Sequence, residues 1–237
     1  MRVLVVLPTY NEAQNIEWLI QSLLSLAIGA DVLVIDDASP DDTAGIAEKA
    51  GPPGRVRVER RTGKLGLGSA QRAGMAAAIA GGYERLVIMD ADGSHAPGTV
   101  PALVAATDHA DLAVGSRYIP GGKVENWAWY RHFLSGGANT MARLVLGRDL
   151  RDWTSSFRCY RVDMLKSIPL DRFRSDGYAF VEEMLFEIRF RGFSIIEVPI
   201  TFVERRAGRS KIDRKEVFSA VWRLFAMGLK RAVGPGS

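Results

Sequence analysis

The sequence predicts an α/β fold with one mostly parallel central sheet flanked by helices. Two observations carry this expectation: short apolar runs alternate with helical patterns through the first half, and each run ends in polar residues. The chain has 237 residues, 47% hydrophobic and 24% charged, which suits one sizeable core and argues against disorder or low complexity.

The apolar runs Val3–Leu7, Val32–Ile35, Val56–Glu59, Leu86–Met89 and Leu112–Val114 read as strands buried on both faces. Between them, Ala13–Leu26, Thr43–Ala50, Ser69–Ala80 and Pro101–Ala106 have helical spacing. The second half is less regular. Tyr130–Leu146 and Tyr178–Arg191 read as helices, Ser156–Arg161 as extended, and Ser194–Val203 as a strand interrupted by Pro199. An amphipathic helix is expected over Arg214–Arg231. Gly63-Lys64-Leu65-Gly66-Leu67-Gly68 completes neither a P-loop nor a dinucleotide fingerprint, and reads as a tight turn opening the helix from Ser69.

In open parallel sheets ligands bind beyond the carboxyl ends of the strands. The polar exits are Pro8-Thr9-Tyr10-Asn11-Glu12, Asp36-Asp37, Asp90-Ala91-Asp92 and Gly115-Ser116-Arg117-Tyr118. Asp90 and Asp92, two positions apart past a strand end, suit one hard divalent ion such as Mg²⁺ or Mn²⁺, which then bridges phosphate oxygens; the alternative is a helix-capping turn. Asp36 and Asp37 suit the N–H groups of a base or the hydroxyls of a ribose, whereas Asp41 and Asp42 read as turn and cap. Pro8 is expected to stop the strand ladder, turning Tyr10 and Glu12 toward a cleft where an aromatic face suits a nucleobase; a helix-capping loop is the competing reading. His95 is either a third ligand, a phosphate donor or a turn histidine.

Lysine and arginine total 31 against 27 aspartate and glutamate, a net charge of +4 concentrated after position 200. Such an end suits a polyanion: nucleic acid, a phosphate ligand or an anionic membrane, or else it is a solvated basic helix. No recognised nucleic-acid-binding motif is present. The single cysteine, Cys159, excludes an intramolecular disulfide and reads as a buried, inert thiol. The sequence shows no signal peptide and no apolar run of bilayer-spanning length, so a cytoplasmic, membrane-touching protein is expected.

Taken together, these motifs resemble the inverting family 2 glycosyltransferases, and within them the dolichyl-phosphate (polyprenol-phosphate) mannose synthases. Residues 2–213 follow that pattern in order. To the exits above are added Val34-Ile35-Asp36-Asp37-Ala38-Ser39-Pro40-Asp41, Ser135-Gly136-Gly137-Ala138-Asn139, Thr154-Ser155-Ser156-Phe157-Arg158, Gly177-Tyr178-Ala179-Phe180, and Val198-Pro199-Ile200-Thr201-Phe202-Val203-Glu204-Arg205 through Ser210-Lys211. The sequence departs where the family usually has Gly, at Ala38 and Asp42; it carries Gly93-Ser94-His95 after the aspartates, and Arg131-His132 where an arginine pair is common.

The resemblance implies a single Rossmann-like domain of the glycosyltransferase A type over 1–213, with nucleotide-sugar binding in 1–118 and acceptor binding in 119–213. It implies that Pro8, Tyr10, Glu12, Ile35 and Asp37 hold the nucleoside, and that Asp90 and Asp92 bind Mg²⁺ or Mn²⁺ beside the Ala91 backbone. Arg117, Arg131, Arg205 and Lys211 would meet the donor diphosphate or acceptor phosphate, with Asp92, Arg117 and Arg205 carrying the reaction. The implied partners are GDP-mannose, a polyprenyl or dolichyl phosphate, the cytoplasmic face of a membrane and a membrane-anchoring protein, with no nucleic acid. Alternatives on the same fold are a UDP-glucose-dependent transferase and a noncatalytic nucleotide-binding protein. In the helix expected within 214–237, Val217, Val221, Leu224, Phe225 and Leu229 share a face that suits a membrane interface or a protein core equally.

Overall fold

The computed structural model describes residues 1–126, 129–173, 175–177 and 179–204. The arginines and lysines from 205 onward, and with them Arg205, Lys211 and the expected helix Arg214–Arg231, lie outside the described residues, as does Tyr178.

Strand β1 (Val3–Thr9) leads through helix α1 (Ile16–Leu24) to β2 (Asp31–Asp36), and α2 (Thr43–Lys49) leads to β3 (Val56–Arg60). Helix α3 (Leu67–Ala80) then crosses back to β4 (Arg85–Ile88), and α4 (Val100–Ala106) leads to β5 (Leu112–Ser116). The remaining elements are β6 (Lys123–Glu125), α5 (Trp129–Leu146), β7 (Arg158–Arg161), α6 (Val162–Lys166), α7 (Ala179–Phe190), β8 (Ile195–Pro199) and β9 (Thr201–Val203).

Seven strands form the main sheet in the order β3-β2-β1-β4-β7-β5-β8. The pairs β1–β2, β1–β4, β2–β3 and β5–β8 are parallel, whereas β7 runs antiparallel to both β4 and β5. The chain winds outward from β1 to β3 and then returns to the other side of β1 with β4. The crevice between the carboxyl ends of β1 and β4 is therefore a topological switch point, where such sheets bind ligands.

Strand alternation sends each apolar run to two cores. Leu4, Val6, Leu33, Ile35, Leu86, Ile88, Leu112 and Val114 pack against α3, α5, α6 and α7 on one face. Val3, Val5, Leu7, Val32, Val34, Val87, Met89 and Ala113 pack against α1, α2 and α4 on the other. Burial on both faces explains why these strands read as unbroken apolar runs. Strand β3 departs from that expectation. It is an edge strand with Arg57, Glu59 and Arg60 exposed, and such charges protect an unpaired edge.

Pro8 also behaves differently from the expectation. On the β4 side the ladder ends at Val6↔Ile88, but on the β2 side it continues through Pro8↔Ile35 to Thr9↔Asp36. A proline's missing N–H interrupts pairing only toward the neighbour that N–H would face. The segment Ser194–Val203 is divided between sheets: β8 joins the main one, while β9 pairs with the short strand β6.

Candidate active site

The strand exits converge as expected, but each side chain has its own local role. Thr9 donates through its hydroxyl to Asp36 Oδ1 at 3.1 Å, and Ser39 binds Asp36 through both its hydroxyl and its N–H. Asp36 is thus absorbed into the turn that closes β2. Glu12 is buried; its Oε2 accepts from Asn15 Nδ2 at 2.9 Å, and its N–H donates to Thr43 Oγ1 at 2.9 Å. Ile35 has its side chain in the core, so only its backbone faces the sheet edge. Pro8 and Tyr10 are part-exposed above them.

Asp37 is buried, and its Oδ2 accepts from Gly66 N–H at 2.8 Å. Arg61 Nη1 lies 2.7 Å from Asp37 Oδ1, an ion pair whose N–H direction is not aligned for a hydrogen bond. Burial raises the Asp37 pKa, opposed by the Gly66 amide and the Arg61 charge. Asp37 therefore ties the loop after β3 to the exit of β2.

At the end of β4, one oxygen of each aspartate is held by a serine. Ser156 Oγ donates to Asp90 Oδ1 at 2.9 Å. Asp92 Oδ1 accepts from Ser94 N–H at 3.1 Å and from Ser94 Oγ at 2.6 Å. The same Asp-x-Ser/Thr turn recurs at Asp41–Thr43 and at Asp152–Thr154, where the aspartate accepts from the N–H and the hydroxyl two residues on. This settles Asp41 as structural. Ala91 is buried between the two aspartates.

His95 belongs to the scaffold. Its Nδ1 accepts from Asp90 N–H at 3.2 Å, and its ring stacks on Phe157 with centroids 4.8 Å apart and meets Phe202 edge-on. Burial lowers its pKa against the pull of Asp90 and Asp92, so the ring is neutral near pH 7. Val203 N–H donates to Ser94 O at 3.1 Å. Strand β9 is thereby pinned to the aspartate loop, and Glu204, the last described residue, follows it directly.

Arg117 is buried against Asp152. Its Nε and Nη2 donate to the two carboxylate oxygens at 2.8 Å each, its N–H donates to Asp152 Oδ2 at 3.0 Å, and Nη2 also reaches Thr154 Oγ1 at 2.6 Å. The planar fork of Arg117 is thus taken up by a protein carboxylate. Arg131 lies in α5, and its side chain is outside the described residues.

In β7, Arg158 is buried and donates to Val181 O at 2.6 Å and to Trp153 O at 3.2 Å. Glu182, on α7, is buried with no hydrogen-bond partner for Oε2 among the described residues, and burial pushes its carboxyl up to about 7. Cys159 is a buried strand residue whose thiol is pushed up to about 12, as expected of an inert thiol.

Sequence reasoning overlooked Asp152 and Glu182, and it placed Ser94 and Ser156 in motifs without identifying them as partners of the two aspartates. The repeated Asp-x-Ser/Thr spacing was a usable signal for Ser94 and for Asp152 with its Thr154. Nothing local marked Ser156 as the partner of an aspartate 66 positions away.

Two carboxylates fixed at one strand end fit Mg²⁺ or Mn²⁺, which commonly bind through one or two carboxylates with substrate phosphates completing the shell. Among the described residues no three His, Cys, Asp or Glu side chains converge as a protein-only cage. The donor set here is the kind that shares an ion with a diphosphate.

Comparison with known proteins agrees with this geometry. The profile of Glycosyl transferase family 2 matches residues 4–168. A polyprenol monophosphomannose synthase of Mycolicibacterium smegmatis is 43% identical over 232 residues, covering 97% of this chain and 88% of that protein. An undecaprenyl-phosphate mannosyltransferase of Micrococcus luteus is 44% identical over 230 residues, covering 97% and 95%. Among solved structures, glucosyl-3-phosphoglycerate synthase of Mycobacterium tuberculosis, in complex with Mn²⁺, UDP and its product, superposes with a TM-score of 0.69 at 24% identity, covering 100% of this chain and 81% of that one. The same enzyme is also known with Mg²⁺ and UDP. That likeness is one of fold.

Proposed function

The chain belongs to glycosyl transferase family 2, and from that premise we propose that it transfers mannose from GDP-mannose to a polyprenyl monophosphate, with inversion at the anomeric carbon. The observation that carries this reading is the near full-length likeness to the two polyprenyl-phosphate mannosyl enzymes, together with paired aspartates at the β1/β4 switch point.

In this reading residues 1–118 hold the donor and 119–213 the acceptor. Asp90 and Asp92 hold Mg²⁺ or Mn²⁺, with Ser156 and Ser94 fixing the two carboxylates. When bound, the ion neutralises charge growing on the departing diphosphate. Tyr10 supplies an aromatic wall for the base.

The acceptor phosphate monoester is largely ionised near pH 7, because its second pKa is about 6. It attacks the sugar's C1 without needing a general base. A new C1–O bond forms to the lipid phosphate as the bond to the nucleoside diphosphate breaks, and GDP leaves with that electron pair. Arg117 acts as a positioning residue: with its fork on Asp152 it fixes the wall after β5. Arg205 and Lys211 remain the proposed phosphate contacts. Support for Arg205 is its place in sequence, two residues after a strand pinned to the Ser94 loop.

No helix among the described residues is long and apolar enough to cross a membrane. Peripheral attachment at the cytoplasmic face, through the segment 214–237 or an anchoring partner, is part of the proposal because the proposed acceptor is a membrane lipid. Calorimetric titration in Mn²⁺ tests the donor: GDP is expected to bind at least tenfold, about 1.4 kcal/mol, more tightly than UDP. Equal or reversed affinities would remove GDP-mannose as the donor.

A further inference from the structure

The glycine-rich turn between β3 and α3 is built into the nucleotide side of the crevice. Gly66 has φ +93°, and a Cβ there would collide with the Asp176 carbonyl, so the backbone approaches that closely only without a side chain. Gly68 N–H donates to Asp176 O at 2.7 Å, and Arg72 donates to Ser175 O at 2.6 Å from the next turn of the helix. From the other side, Asp37 accepts from Gly66 N–H, and Arg61 joins Asp37 to Ser69. The turn is held from two directions.

What it presents is Lys64, an exposed side chain whose ammonium stands 4.7 Å from the centroid of the Tyr10 ring. Its place is set by strand order. The turn is tied to the end of β2, and Tyr10 follows β1, whereas the paired aspartates follow β4 on the far side of β1. Neighbouring strands lie about 4.8 Å apart, so Lys64 stands over the base end of the crevice and away from the diphosphate end.

We propose that Lys64 selects keto over amino bases by donating a hydrogen bond to the 6-keto oxygen of a guanine base stacked on Tyr10, and that Asp37 acts on the base through the turn it holds. This rests on the reading of the site as a nucleotide-sugar site. An ammonium has donors only, so it favours a ring carbonyl and disfavours an amine. Guanine presents O6 and N7 acceptors along the edge where adenine carries an amino group. The arriving base takes the ring face of Tyr10, and the flexible stem lets the ammonium move to the base edge. The exchange is favourable, because a hydrogen bond to a charged group contributes more than an exposed cation–π contact. The same preference extends to other keto bases, so the discrimination is keto against amino.

The test is calorimetric titration of GDP, IDP and ADP, each with Mn²⁺, into the full chain and its Lys64→Met and Lys64→Arg variants. IDP keeps the 6-keto group and lacks the 2-amino group. The wild type is expected to bind GDP and IDP more tightly than ADP. Lys64→Met is expected to weaken GDP and IDP about tenfold while leaving ADP unchanged, and Lys64→Arg to restore most of the loss. Unchanged GDP binding by Lys64→Met, beside normal binding by the wild type, would overturn the role of Lys64 alone. An equal loss for ADP would also overturn it, placing the ammonium on the shared phosphates. A wild type that binds none of the three would remove the nucleotide-site reading and Lys64's role together.

Discussion

Arg117 and Asp152 form a closed pair beneath the sheet edge, with two 2.8 Å hydrogen bonds between the guanidinium and the carboxylate and side chains 8% and 0% exposed. Burial alone would raise the Asp152 pKa, but the Arg117 charge and its hydrogen bonds hold it below the usual carboxylate value. A buried pair of this kind adds little net stability compared with a well-packed apolar substitute, yet breaking it is costly because one charge is left behind.

Asp152→Ala is accordingly expected to destabilise the protein by about 3–5 kcal/mol. Urea unfolding of the variant beside the wild type measures this directly. A loss below about 1 kcal/mol, the size of an exposed pair, would show that Arg117 is solvated in solution.

Ala38 and Asp42, where the family usually has Gly, have φ +56° and +62°. Left-handed backbone costs an alanine about 1 kcal/mol more than a glycine, whereas aspartate tolerates it better. Since Ala38 is exposed and contributes no core packing, Ala38→Gly is expected to stabilise the fold by about 0.5–1 kcal/mol. The melting temperature should rise, and a fall would mean that the turn has another conformation in solution.

Glu182 makes stability depend on pH. Its carboxyl is pushed by burial from 4.5 up to about 7, so between those values the folded chain keeps a proton that the unfolded chain has released. Stability from this group is present below the lower value and is lost as pH rises toward the upper one. Glu182→Gln, which cannot ionise, should therefore be more stable than the wild type at pH 8 by roughly 3 kcal/mol, and nearly equal to it at pH 4.5. A difference that did not change between those two pH values would show that folding leaves the Glu182 pKa unshifted.

Much of this molecule was legible in its sequence because strands buried on both faces leave unbroken apolar runs, and the polar residues after them necessarily lie at one edge. The placement of Asp90 and Asp92 followed from that rule alone. The insertion of β7, antiparallel, between β4 and β5 was not legible, because a strand's partners are set by long-range packing. The division of labour between Asp36 and Asp37 was hidden for a related reason. Adjacent residues at a strand end point to opposite sides, one into its own turn and the other toward the Gly66 loop, and the composition of the segment is the same either way. The sequence left His95 open between a ligand, a phosphate donor and a turn residue, because its stacking partners, Phe157 and Phe202, come from distant segments.

Mannosyl transfer to a lipid phosphate at Asp90 and Asp92 is read out by a single product assay. Purified chain is incubated with Mn²⁺, GDP-mannose labelled in the sugar and a short polyprenyl monophosphate, and the label is followed into an organic extract. We expect label to enter the lipid phase as a polyprenyl-phosphate sugar, to do so far more slowly from UDP-glucose, and to be abolished in Asp92→Ala and nearly so in Asp90→Ala, with both variants folded. Label that stays in the aqueous phase would rule out transfer to the lipid phosphate, and transfer that survives Asp92→Ala would rule out Asp92 as part of the site.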